Sequence, residues 1–293
     1  MALSIERRST MIASACALAM AVLKCVVGVA TGSMAVLSSA IDSLLDMAMS
    51  VFNTYALKNA EMAADTTFNY GRGKMEGLAA LVEGGLIALS GAFIIYQSVS
   101  RLIDEREVEA LGDALVVMIV CTAITLALVL YLAAVLKRSN SLIIRSDLLH
   151  YKSDLWTNLG IIVSLALVGL TGWHSIDAIV SIAIACVITY GAYKIVRDGV
   201  LTLLDRAIEE PLYSQIVAIV ENAPRVSSYH YLRTRRSAKT SMVDVHLVFN
   251  EAISLKDAHT VSELVEEQIA ALDTKAKWLI TVHLDPCDDS KDD

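Results

Sequence analysis

Residues 34–57 read MAVLSSAIDSLLDMAMSVFNTYAL, a run long enough to cross a bilayer that nevertheless carries two carboxylates, Asp42 and Asp46. A membrane-crossing helix needs about 20 mostly apolar residues. An ionisable side chain inside one is costly and normally faces a cavity or a partner. At i, i+4 spacing, Asp42 and Asp46 share one helix face. Five further stretches have the same length and texture: residues 10–30, 78–99, 111–135, 142–170 and 176–196. Whole-chain composition agrees. The 293 residues are 55% hydrophobic and only 19% charged, with a mean hydropathy of +0.56, whereas charged residues make up about a quarter of a soluble domain. Disorder is excluded by the same composition. A net charge of −8 argues against a nucleic-acid partner. Cys16, Cys25, Cys121, Cys186 and Cys287 are scattered and form no CxxC, so they make neither a disulfide framework nor a zinc knuckle.

The first stretch is expected to be a span rather than a cleaved signal peptide: no small-residue cleavage site follows it, and the second span begins after the short turn Thr31-Gly32-Ser33. With six spans, Arg7, Arg8, Lys58, Arg72, Lys74, Lys137, Arg138, Arg145, Lys194 and Arg197 fall on one side, and only Arg101 and Arg106 on the other. The basic side is expected to be cytoplasmic, with both termini in that compartment.

After Val200 the texture is that of a soluble domain. Residues 211–221 read as an amphipathic helix, 226–236 and 241–249 as alternating strands, 256–272 as a second helix and 278–284 as a third strand. The order αββαβ predicts a small α+β domain with helices on one face of a sheet. The expected division is therefore a six-helix transmembrane domain over residues 1–205 and a cytoplasmic domain over 206–293. The acidic run 288–293 is expected to be solvated.

The fifth span carries His150 and Asp154, again at i, i+4. The two pairs together offer three carboxylates and an imidazole, a donor set for a four-coordinate divalent metal of the zinc type. The bland alternative treats each acid as a structural ion pair, neutralised by Lys24 or Lys152. It explains a single carboxylate more easily than two acid-bearing helices with matched spacing. Lys152 lies about 200° around the helix from His150, at ~100° per residue, and is expected to point away. Lys24 lies mid-span, with Asp113 and Glu83 as candidate partners. Ser39, Ser43, Ser153 and Asn158 are candidates to orient the ligands, or to pack helices.

Ser39-Ala40-Ile41-Asp42-Ser43-Leu44-Leu45-Asp46 together with His150-Tyr151-Lys152-Ser153-Asp154 resembles the cation diffusion facilitators, in particular bacterial zinc/iron exporters of the ferrous-iron-efflux type. Gly71-Arg72-Gly73-Lys74, Leu203-Leu204-Asp205-Arg206, Leu232-Arg233-Thr234-Arg235 and His283-Leu284-Asp285-Pro286-Cys287 extend the resemblance over nearly the whole chain. It implies an α-helical membrane protein with six transmembrane helices and a metallochaperone-like cytoplasmic domain. It further implies a homodimer in the inner membrane, and export of a divalent metal coupled to proton entry. A charge pair of Lys74 with Asp205 where two subunits meet is implied as well.

Four of the six histidines, His230, His246, His259 and His283, fall in the tail. Two imidazoles on neighbouring strands and one from a helix end can converge on Asp285; the alternative is four unrelated surface histidines. The resemblance places all four, with Asp285, at a binuclear cytoplasmic site whose occupancy regulates transport or stabilises the dimer. His174 is expected to be an ordinary outer-loop residue, and Cys287 a partly buried thiol. In the loop between the second and third spans, Asp65 remains, but Phe68 and Arg72 stand where relatives supply histidines. No metal is expected there.

Three carboxylates crowded in a low-dielectric site repel one another until a divalent cation neutralises them. Emptying the site draws in protons, so metal and proton compete for it. If the site faces the two sides alternately, the result is antiport with membrane lipid and protons as partners. Zn(II), Fe(II), Cd(II) and Co(II) all suit such a set. The enzymatic reading is set aside because no HExxH motif occurs, and residues 71–74 lack the flanks of a P-loop. A metal-gated channel or sensor without proton coupling is the alternative function.

Overall fold

The structure is a computed structural model that describes residues 4–31, 34–104, 114–171, 175–274 and 276–288. Gly32, Ser33, Arg106, Leu111, Asp113 and His174 lie outside the described residues, as does the tail beyond Asp288. The chain divides into two compact units, Met1–Val200 and Leu201–Asp293.

The first unit is built from six long helices: α1 (Ile5–Thr31), α2 (Met34–Ala60), α3 (Met75–Asp104), α4 (Ala114–Leu136), α5 (Leu142–Thr171) and α6 (Ser175–Leu203). Among the described residues, four segments are long and apolar enough to cross a membrane: Ile5–Ala30, Met75–Ser100, Ile119–Leu136 and Ala178–Leu203. α2 and α5, of similar length, carry the expected metal-binding acids and, on α5, Arg145, Asp147 and Lys152 as well. That is the signature of helices that face a polar interior rather than lipid. Several helices run a turn or more past the apolar runs. Close packing comes from small side chains, which let backbones approach in the absence of a water-driven effect. Ala13, Ala17 and Ala21 form a fully buried stripe on α1. On α3, Gly91 faces Thr189 of α6, where an added Cβ would meet the Thr189 hydroxyl and force that side chain to shift.

The second unit has the expected order: α7 (Leu212–Glu221), β1 (Val226–Ser237), β2 (Thr240–Phe249), α8 (Leu255–Ala271) and β3 (Lys277–Asp285). β1 and β2 are an antiparallel pair, and α8 is the crossover that brings β3 parallel to β2. Ser254 caps α8, its side chain accepting from the Asp257 N–H at 3.1 Å, and Asp257 itself stabilises the positive helix end. Ala258, Val261, Val265 and Ile269 recur along one buried face of α8. They pack with Ile216 and Val220 of α7 on Val243, Val245, Leu247 and Phe249 of β2. Each large apolar side chain fully buried here contributes about 1.5–3 kcal/mol. The core uses the odd-numbered face of β2. Because side chains alternate along a strand, His246 is left on the opposite face.

Candidate metal centres

In the membrane unit, α2 and α5 bring three of the four expected residues together. His150 Nε2 lies 3.1 Å from Asp46 Oδ1 and 3.9 Å from Asp154 Oδ2. One ligand atom from each of the three residues fits within 4.8 Å of the others. All three side chains are partly shielded, as an ion site open to one side requires. Asp42, one turn earlier on α2, is exposed and stands outside this group. The α2–α5 register at the site is held by Tyr151, whose fully buried hydroxyl shares a 2.8 Å hydrogen bond with Ser50. Ser50 is one turn beyond Asp46, and Tyr151 adjoins His150 and meets its ring edge to face, at 5.3 Å between centroids. One bond therefore fixes the height of the imidazole against the carboxylate.

Among the described residues Lys24 does not pair with Glu83, and Asp113 lies outside them; the Lys24 Nζ donates to Ser43 Oγ at 2.7 Å and to the Ser39 carbonyl at 3.4 Å. Ser43 is thus engaged by the ammonium, and the Ser153 hydroxyl by its own helix, at the Leu149 carbonyl 2.9 Å away. Glu83 belongs to a different set. Asn53 Nδ2 donates to Glu83 Oε2 at 2.9 Å and to Asp147 Oδ1 at 2.7 Å, and Ser146 Oγ donates to Glu83 as well. All four side chains are buried. Sequence reasoning singles out neither Asn53 nor Asp147 as part of a site. The signal available was position: Asn53 lies two turns after Asp46, and Asp147 three residues before His150.

In the second unit, strand register builds the second cluster. His246 pairs with His230 across the antiparallel ladder and with His283 across the parallel one. The three imidazoles form a row across the sheet, on the face turned away from the helices. Ring centroids are 4.9 Å apart for His230 and His246, and 4.7 Å for His246 and His283. A bulge follows His230, where Tyr231 adopts φ 53°. Buried Asp285, two residues past His283, lies on the same face. Its Oδ2 is 3.0 Å from His246 Nδ1 and 3.5 Å from His230 Nε2, and its Oδ1 is 3.0 Å from His283 Nε2. His230, His246 and Asp285 can offer three ligand atoms within 4.8 Å of one another. Two nitrogens and a carboxylate oxygen suit a zinc-type ion. His259 is not drawn in: it is exposed on α8, and its Nε2 lies 3.6 Å from Glu263. Cys287 is exposed, contrary to the partial burial expected of it. Asp205 meets Arg235 at 3.3 Å.

The loop after α2 closes on itself. Asp65 Oδ1 accepts from the Thr67 and Phe68 N–H groups at 2.9 and 2.8 Å, and its Oδ2 meets Arg72 at 2.5 Å. Arg72 also stacks over the Phe68 ring, 4.4 Å from its centroid. The Phe68 and Thr67 amides, and then Arg72, hold the Asp65 carboxyl below the ordinary range.

Residues 10–204 match the cation efflux transmembrane domain, and residues 208–287 match the cytoplasmic domain of cation efflux proteins. The cation-efflux pump FieF of Escherichia fergusonii is 35% identical over 257 residues, covering 88% of this chain and 85% of that protein. The pump of the same name from Salmonella arizonae is 34% identical over 280 residues, covering 96% and 92%. Among solved structures, the metal-bound C-terminal domain of the CzcD transporter from Thermotoga maritima shares 22% identity. That match covers 27% of this chain and 94% of that one, with a TM-score of 0.25. Two helices that carry acids through a membrane domain, and a following domain with a histidine row, accompany sequence matches that span nearly the entire chain. The chain belongs to the cation efflux family, whose members are membrane transporters.

Proposed function

We propose that this protein exports a divalent transition metal, of the Zn(II), Fe(II), Cd(II) or Co(II) type, in exchange for protons. The observation that carries this reading is the meeting of Asp46, His150 and Asp154 from two helices inside the membrane unit. Asp42 completes the transport site as the fourth donor when the ion is bound. The mixed oxygen and nitrogen set favours borderline metals over calcium, which prefers more oxygens and no imidazole. Metal ligands must be deprotonated to bind, so proton arrival and metal departure are two sides of one equilibrium. Alternating exposure of the site lets inward proton flow drive metal outward. Residues 1–205 perform this step in the inner membrane, with both termini cytoplasmic. Residues 206–293 bind metal through His230, His246, His283 and Asp285, with His259 joining a second ion. They hold two copies of the chain together and bias transport through their occupancy. The FieF relatives, named as cation-efflux pumps, support this direction of transport.

The test is zinc flux in proteoliposomes under an imposed pH gradient. Asp46→Ala and Asp154→Ala are expected to abolish flux while leaving the protein folded. Near-normal flux in either removes the site. Wild-type flux indifferent to the pH gradient overturns antiport and favours a channel.

A further inference from the structure

Lys24 is a cation placed in a membrane-crossing segment, beside a cluster of acids, yet the hydrogen bonds it makes go to neutral groups. A lysine in such a position ordinarily snorkels to the interface or closes an ion pair. Here it reaches from α1 to α2, to the Ser43 hydroxyl at 2.7 Å and the Ser39 carbonyl at 3.4 Å. Those two residues lie one turn apart on α2, and Ser43 sits between Asp42 and Asp46 in sequence. The ammonium is thus held within one helical turn of both α2 carboxylates along the chain. Lys24 is therefore electrostatically part of the cluster without taking a ligand position in it. Its hydrogen bonds, to Ser43 and Ser39, occupy none of the donor atoms of Asp46, His150 and Asp154.

We propose that Lys24 is a built-in counter-cation of the transport site, which matches the site's charge to a divalent ion and keeps binding weak enough for release. This rests on the transport-site assignment made above. Three carboxylates that bind a divalent ion in their ionised form leave one negative charge over, which a lysine ammonium offsets. Without the ammonium, a divalent ion would leave one negative charge in a low-dielectric surround, and the same ion would be held more tightly. In the interior of a membrane unit Coulomb interactions are several times stronger than in bulk water, so a like charge held beside Ser43 acts on an ion bound to the neighbouring carboxylates. Neutral acceptors on α2 are what keep that charge in place: a direct Lys–Asp pair would quench it and block a ligand oxygen. Lys24 is thus a positioning and charge-setting residue, not a ligand.

The experiment is zinc binding at fixed pH by the full-length protein, with His246→Ala in every variant to remove the second cluster from the reading. Lys24→Met is expected to bind zinc about tenfold or more tightly than its parent, with a lower KM and a lower maximal flux in proteoliposomes. Lys24→Arg, which keeps the charge, is expected to stay within about threefold of the parent on both measures. Lys24→Gln, which can still donate to Ser43 without a charge, is expected to follow Met; this separates loss of charge from loss of packing. Affinity unchanged or weakened in both neutral variants overturns the proposal. Asp154→Ala in the same background serves as the control. Zinc binding unaffected in that control overturns the transport-site assignment and this proposal together. A control that loses binding, alongside unchanged Lys24 variants, overturns the counter-cation alone.

Discussion

His246 is the centre of the cytoplasmic row, and its replacement by alanine is the most informative single change in that unit. It is the register partner of both His230 and His283 and stands 3.0 Å from Asp285. It supplies one of the three ligand atoms that converge within 4.8 Å. Loss of an outer-shell partner of a metal site costs about 10–100-fold in affinity, so loss of a ligand should reach the top of that range or exceed it. The expected fall is about 100-fold or more, or roughly 2.8 kcal/mol at about 1.4 kcal/mol per factor of ten. The fold should not account for it. The core lies on the odd-numbered face of β2 with Val245 and Leu247, so truncating His246 opens no apolar cavity. Because the unit Leu201–Asp293 has its own core, calorimetric titration of that segment with zinc at neutral pH is the assay. His259→Ala provides the contrast. The ring is exposed and directed to Glu263, so one zinc per chain should still bind within about threefold of the parent affinity. Zinc binding within threefold of the parent in His246→Ala, or a His259→Ala loss of equal size, would refute the assignment of the row as the primary ligand set.

Asn53→Ala leaves Glu83 and Asp147 without their shared amide donor. Glu83 keeps the Ser146 hydroxyl, so the loss falls mainly on Asp147; at about 1–3 kcal/mol for a buried group left unsatisfied, the detergent-solubilised protein should lose several degrees of thermal stability. An unchanged unfolding temperature would show that the network is not structural. Tyr151→Phe removes the bond to Ser50 that sets the α2–α5 register, and should weaken zinc transport while preserving expression, whereas wild-type transport would count against that role. The folded-state value of the Asp65 carboxyl lies below the ordinary 3.8, chiefly through the Phe68 and Thr67 amides. Its contribution to loop order is therefore fully present above that ordinary value and disappears only as pH falls through the lower folded one. Hydrogen exchange of those two amides checks this, and loss of protection at or above pH 4 would contradict it. Asp65→Ala should leave zinc stoichiometry and flux close to wild type.

Much of this architecture is written in local pattern. Apolar runs of span length, the alternation in residues 226–249, and a capped amphipathic helix before the last strand depend on neighbours in sequence, so they are legible without tertiary knowledge. The i, i+4 pairs on α2 and α5 are legible for the same reason, since a helix places such residues on one face wherever it is. What pairs across helices and strands is not local. No periodicity tells that Lys24 turns to Ser43 rather than to Glu83, or that Asn53 bridges Glu83 and Asp147, because those outcomes depend on how α1, α2, α3 and α5 are rotated and shifted against one another. In the sheet, the identities of His230, His246 and His283 were visible, but their alignment was not. A one-residue slip in either ladder would send an imidazole to the opposite face. The sequence alone determined the helical membrane unit and the αββαβ tail, and offered the candidate metal-binding residues. The tertiary structure alone decided which of them meet, because side-chain convergence is set by strand register and helix rotation, and those are fixed by packing of the whole unit.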